Sequence, residues 1–207
     1  MTELVVIGAS LGGFEAVSRV VRDLGADREW LPPIAAVLHR PVGSQSRLAD
    51  HLSRATGRVV RDVIDGERLR AGEVHLAPPD YHLLIERDHL ALSVDPPESR
   101  ARPSIDVLFG SAAEAYGPRV IGVLLTAASG DGAVGLLAIR RRGGVTIAQD
   151  PASARSPVAC TAALAIGAVD HLAPLERVGQ VIRSMLVYNV GGSSDAAGGG
   201  AAGGGGT

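Results

Sequence analysis

Short runs of Val, Ile and Leu alternate along most of the chain with longer stretches of helical period, and this alternation fixes the fold class. The runs are "ELVVIG" from Glu3, "IAAVLH" from Ile34, "RVIGVLLT" from Arg119, "GGVTIAQ" from Gly143 and "AVDHLA" from Ala168. Most lack the polar-apolar alternation of a strand with one wet face, so both faces must be covered, as in a parallel sheet wrapped by helices. The expected fold is therefore α/β, a doubly wound, mostly parallel Rossmann-like sheet flanked by helices.

The segments between the runs carry helix signals. "GGFEAVSRVVRDLG" puts Phe14, Val17, Val20, Val21 and Leu24 on one face and ends at Gly25, a C-capping glycine. "GSQSRLADHLSRATG" repeats the arrangement, with Ser44 or Ser46 as N-cap and Gly57 as terminator. "RPSIDVLFGSAAEAYG" has Ser104 as N-cap and an apolar face of Val107, Leu108 and Ala112. "GEVHLAPPDYHLLIERDHLALSV" alternates apolar and polar residues around Arg87 and Asp88, the pattern of an antiparallel hairpin at a sheet edge. Residues 1–190 read as one domain, and the Gly/Ala-rich stretch 191–207 reads as a disordered tail because nothing in it offsets the cost of ordering its backbone.

Composition excludes several function classes. A net charge of −2 gives no electrostatic footprint for nucleic acid or an anionic membrane surface, and no apolar segment is long enough for a membrane span. Cys160 is the single cysteine, so an internal disulfide and a cysteine-based metal site are both excluded and a reducing, cytoplasmic setting is expected. The basic residues are all arginine, scattered apart from Arg140–Arg142, and carry no functional signal. His51, His75, His82, His89 and His171 show no metal-ligand spacing, so neither a metal nor a cofactor is expected.

In a parallel sheet, reactive groups gather at the carboxyl ends of the strands, and three such ends carry chemistry here. The first run ends in "GASLGG", with Ser10; the second ends at His39; the run from Arg119 passes into "AASGDGA", with Asp131. Each residue has a plain structural reading. Ser10 fits a turn serine, His39 a solvated imidazole, and Asp131 an N-cap for the helix of "GDGAVGLLAIRRRGG". Gly8, Gly12 and Gly13 also fit a phosphate-binding loop, but that reading requires an acidic residue where His39 stands and a middle glycine that G-x-x-x-G-G lacks. The coincidence of serine, imidazole and carboxylate at one rim favours a Ser-His-Asp triad over the separate structural readings. Backbone N–H groups at Leu11 and in the Ala127 to Ser129 loop, with Ala128 and Ser129 foremost, are the candidate oxyanion donors.

At these residues the chain resembles the catalytic domain of the chemotaxis protein-glutamate methylesterases, the CheB family. The likeness runs from Leu4 to about Met185 and rests on G-A-S-x-G-G at Gly8–Gly13, "HRP" at His39–Pro41, "APPDYH" at Ala77–His82, "RPSIDVLF" at Arg102–Phe109, D-G-A at Asp131–Ala133 and "TIAQD" at Thr146–Asp150. It implies a serine hydrolase that removes methyl esters from glutamate side chains of chemoreceptors and deamidates glutamines there. Ser10 is then the nucleophile, His39 the base and later the acid, and Asp131 the orienting carboxylate. A methylesterase-like module that serves as a binding or regulatory partner is the alternative. Leu11 stands where the family usually has threonine, "TAASGDGA" replaces T-G-M-G-x-D-G-A, and "SARSPVAC" at Ser153–Cys160 replaces a stretch that usually holds G-M-P. Typical members begin with a phosphate-accepting receiver domain, whereas this chain starts on the first catalytic-domain strand; a separate regulatory protein is the expected substitute.

Overall fold

The computed structural model describes residues 2–25, 31–40 and 47–188. Pro41, the serines expected to cap the second helix (Ser44, Ser46) and the 191–207 tail lie outside them. The chain opens with β1 (Leu4–Ala9), α1 (Gly13–Asp23), β2 (Ile34–Leu38), α2 (Leu48–Thr56), β3 (Val60–Asp62) and β4 (Val74–Leu76). There follow β5 (His82–Ile85), β6 (Leu90–Ser93), α3 (Ile105–Tyr116), β7 (Val120–Leu124), α4 (Ala133–Arg141), β8 (Val145–Gln149), α5 (Val158–Ala165), β9 (His171–Ala173) and α6 (Leu175–Tyr188).

Seven strands form one parallel sheet in the order β3-β4-β2-β1-β7-β8-β9. The doubly wound architecture read from the alternating runs is the one present. β1 lies at its centre between β2 and β7, and every residue of the three is buried. Their side chains divide by parity. Val5, Ile7 and Ala9 join the cluster under α1, α2 and α6, while Leu4 and Val6 join the opposite cluster under α3 and α4. Strands buried on both faces cannot tolerate polar alternation, which is why they appear in the sequence as unbroken apolar runs.

The middle of the chain differs in detail from its sequence reading. β4, within the stretch read as a hairpin, pairs in parallel with β2 and β3 and buries His75. The antiparallel hairpin is β5 with β6 alone; it forms its own two-stranded sheet instead of continuing the edge of the large one. Leu83, Ile85 and Leu90 of the hairpin pack into the same cluster as α3. α2 begins at Leu48 with Arg47 at its N-cap, one residue after the nearer expected serine. Gly25 follows the α1 cap residue Leu24 in the left-handed conformation, φ 87°, as a helix-ending glycine should.

α3 and α4 lie against each other closely enough to need a glycine. A Cβ on Gly135 would stand 2.7 Å from the Phe109 Cβ and 2.9 Å from the Asp106 carbonyl oxygen, both part of α3. Neither atom is the end of a flexible side chain, so the helices would have to separate. Gly135→Ala is therefore expected to destabilise the fold by about 1–3 kcal/mol through overpacking, seen as a lower urea midpoint at unchanged m-value; a midpoint at or above the parent's would overturn the close-packing argument.

Candidate active site

The carboxyl ends of β1, β2 and β7 converge on one rim. Ala9 pairs with Leu38 across β1 and β2, and the next backbone contact, His39 N–H to the Ala9 carbonyl at 3.1 Å, extends the ladder beyond the strands. Ser10 and His39 therefore stand side by side just past the ends of adjacent strands, with backbones about 4.8 Å apart by sheet geometry. On the other side, the Ser10 N–H donates to the Thr126 carbonyl at 2.9 Å. Ser10 and His39 line one cavity together with Leu11, Phe14, Leu38 and Leu48.

Asp131 is not the cap of the helix that follows it. The N-cap of α4 is Gly132, with no side-chain bond, and the Asp131 carboxylate turns instead to the start of α3. It accepts from the N–H groups of Ile105 (2.8 Å) and Asp106 (2.9 Å), from the Ser104 hydroxyl (2.8 Å) and from His39 Nε2 (2.8 Å). The side chain is fully buried. Burial is the largest single influence and opposes the charge, but the bonds from His39, the two N–H groups and Ser104 outweigh it and hold the carboxyl below its ordinary value. An ionised Asp131 fixes the imidazole tautomer: Nε2 carries the proton and donates, leaving Nδ1 as the acceptor nitrogen.

The supporting residues form a continuous chain. Ser104, N-cap of α3, also accepts weakly from the Val107 N–H, and its own N–H donates to Nδ1 of buried His82 at 3.2 Å. His82 Nε2 donates in turn to the Pro96 carbonyl, 3.2 Å away. The hairpin thus holds α3, and α3 holds Asp131. Asp106 completes a reciprocal arrangement, its carboxylate accepting from the Gly135 N–H in the first turn of α4 at 2.7 Å. Asp131, two residues ahead of α4, binds the first N–H groups of α3, and Asp106 of α3 binds an N–H in the first turn of α4.

The turn at Ser10 is fixed from below by Thr126. Its hydroxyl donates to the Leu11 carbonyl at 2.8 Å and accepts from the Ser156 N–H at 2.8 Å. The Thr126 N–H is taken by Gln149 Oε1 at 3.0 Å. With the Leu11 carbonyl turned to Thr126, the planar trans peptide aims the Gly12 N–H the opposite way. Among the described residues, neither the Leu11 nor the Gly12 N–H donates to a protein acceptor. Of the other expected oxyanion donors, Ala128 is exposed and Ser129 half-buried, and neither lines the cavity of Ser10 and His39.

The family follows from this framework and from the comparisons. Residues 5–182 match CheB methylesterase. The chain belongs to the CheB methylesterase family. It is 41% identical over 189 residues to a Bordetella bronchiseptica protein-glutamate methylesterase/protein-glutamine glutaminase, covering 89% of this chain and 53% of the relative. A second protein of that name, numbered 2, from Anaeromyxobacter dehalogenans is 42% identical over 183 residues, covering 88% and 53%. The chain thus spans about half the length of these curated relatives. The crystal structure of the Thermotoga maritima CheB methylesterase catalytic domain superposes with a TM-score of 0.83 at 26% identity, over 89% of this chain and 99% of that one.

Sequence reasoning missed Ser104, His82 and Asp106 as parts of this framework. Ser104 is legible as a helix cap, but its bond to a residue 27 positions away is not. Among the described residues no cluster of His, Cys, Asp and Glu could hold a metal ion, and no helix is long and apolar enough to cross a membrane.

Asp106 gives the framework a pH dependence. Burial pushes its carboxyl up to about 6 from an ordinary 3.8; the Gly135 N–H opposes this, and the negative charge of Asp131 adds to it. An acid raised on folding stabilises the fold most while protonated, below its unfolded value, and that contribution is lost as pH climbs through the folded value. Asp106→Asn keeps an acceptor for Gly135 and cannot ionise. Its stability relative to the parent is expected to rise as pH climbs from the ordinary 3.8 to about 6 and to level off above that; urea midpoints across and above that range check this, and a constant difference would refute it.

Proposed function

We propose that the chain is a protein-glutamate methylesterase, a serine carboxylic ester hydrolase in which Ser10, His39 and Asp131 form the triad. The observation that carries this reading is the 2.8 Å bond to a buried Asp131 from Nε2 of His39, a residue that follows the Ala9–Leu38 pair as Ser10 does and lines the same cavity as Ser10. The names of the relatives support the substrate class, a glutamyl methyl ester of a protein, and a parallel deamidation of glutamine. Methylated chemoreceptors or similar signalling proteins are the proposed partners, in the cytoplasm, with a separate protein as regulator.

In the proposed mechanism Ser10 Oγ attacks the ester carbonyl while His39 Nδ1 accepts its proton. Asp131 stabilises the resulting imidazolium through Nε2. The oxyanion is held by the N–H groups of Leu11 and Gly12, aided by the start of α1; Ala128 and Ser129 remain the alternative donors from the facing loop. Collapse of the tetrahedral intermediate breaks the C–O bond to methoxide, which takes the proton from Nδ1 and leaves as methanol. Water then attacks the acyl-serine, gives its proton to Nδ1, and releases the glutamate carboxylate and Ser10.

Methanol release from a methylated receptor preparation tests this. Ser10→Ala and His39→Ala are expected to lower the rate by about 10³-fold or more, and Asp131→Asn by a comparable factor because the imidazole loses its fixed tautomer. An unsubstituted chain no faster than Ser10→Ala would sink the enzyme reading for that substrate. Labelling of Ser10 by a fluorophosphonate then reports whether the triad works on another ester.

A further inference from the structure

The stretch "SARSPVAC", which departs from the family pattern, lies beside the nucleophile turn. We propose that Arg155 within it forms a subsite for an acidic side chain, taking a carboxylate that flanks the methyl ester in the protein substrate. This deepens the methylesterase reading and rests on it.

The aliphatic stem of Arg155 lies directly on Gly12. A Cβ on Gly12 would meet the Arg155 Cβ and Cδ at 2.9 Å each, and Gly12 itself is left-handed, φ +81°. The neighbouring backbone is tethered, since Ser156 donates its N–H to Thr126 Oγ1 at 2.8 Å and its carbonyl accepts the Ala127 N–H at 3.1 Å. The arginine is therefore anchored at its base, and the residue is exposed.

Other arginines of the fold have carboxylate partners, among them Arg19, Arg40, Arg61, Arg119 and Arg140. Among the described residues no hydrogen bond or ion pair engages the Arg155 guanidinium. It lines a cavity of about 240 Å³ with Gly12, Glu15, Thr126, Gln149 and Ser153. The polar atoms of Thr126 and Gln149 there are already engaged, with Leu11, Ser156, Ser153 and each other. The charge is what the cavity has left to offer, and a guanidinium's planar fork matches a carboxylate in two bonds. Glu15 lines both this cavity and the reaction cavity, and its negative charge disfavours a substrate carboxylate anywhere there but against the Arg155 guanidinium.

Distance sets which substrate residue is read. Gly12 is two residues from Ser10, so their Cα atoms are at most about 7 Å apart. That matches one helical turn, about 5.4 Å, or two residues of extended chain, about 6.7 Å. An acidic residue one turn from the ester on a helical substrate reaches Arg155 while the ester lies at Ser10.

The test uses three peptides built around one glutamyl methyl ester, with Glu, Gln or Lys one helical turn away. Binding is measured to the Ser10→Ala chain, which holds the ester uncleaved, and to the same chain carrying Arg155→Ala, Arg155→Lys or Arg155→Glu. With Arg155 present, the Glu peptide is expected to bind about two- to fivefold tighter than the Gln peptide, the range of a solvent-exposed ion pair, and the gap to shrink at high salt. Arg155→Ala should close the gap, Arg155→Lys keep part of it, and Arg155→Glu turn the preference to the Lys peptide. An equal Glu preference with and without Arg155, no preference in either, or failure of all three peptides to bind overturns the subsite. Methanol release by the unsubstituted chain on the same peptides is read separately: its absence refutes the methylesterase reading, while the binding comparison still decides on Arg155.

Discussion

A buried carboxylate at the head of α3 organises this rim. Asp131 belongs by sequence to the approach of α4, yet its charge is satisfied by the first N–H groups of α3, by the Ser104 hydroxyl and by His39. Taking an ion out of water is costly unless fixed donors replace the water, and a helix N-terminus supplies such donors without further ordering. The same group therefore closes a helix end, keeps its charge in a dry place and fixes an imidazole. Because Asp106 returns the favour to α4, both helices and the site behave as one cooperative piece.

The fold was largely legible because its information is local. Five apolar runs became β1, β2, β7, β8 and β9, and Ser104 and Gly25 marked helix ends where they were expected. β3 and β4 were harder. They are three residues each, too short for periodicity to register, and β4 is followed closely by a true hairpin whose alternation masks it. Only pairing with β2 defines β4 as parallel, and pairing is a long-range property.

The candidate site divides along the same line. Ser10, His39 and Asp131 could be picked out because a parallel sheet brings strand ends to one rim whatever the intervening sequence. The cap reading of Asp131 was right in kind but named the wrong helix, since a sequence offers only the helix next in line. His82 and Asp106 gave no signal: a buried histidine accepting one N–H and an aspartate in a helix's first turn look like many others. The departures at Leu11 and Arg155 fall on exposed positions, whereas Ser104 and Ile105, which hold Asp131, are buried.

In the proposed mechanism, the orientation of His39 ties reactivity to strand pairing. Since Nε2 is taken by Asp131, the acceptor is the ring nitrogen nearest the main chain, which swings through a small arc and reaches little beyond the neighbouring strand. A bulge at the ends of β1 and β2 would carry the serine out of that arc, and a one-residue slip would also turn the strand's side chains to the opposite core cluster. Alignment of two central strands thus acts as a chemical variable in its own right, and the ladder bonds of Ser10 and His39 to Thr126 and Ala9 are where that variable is set.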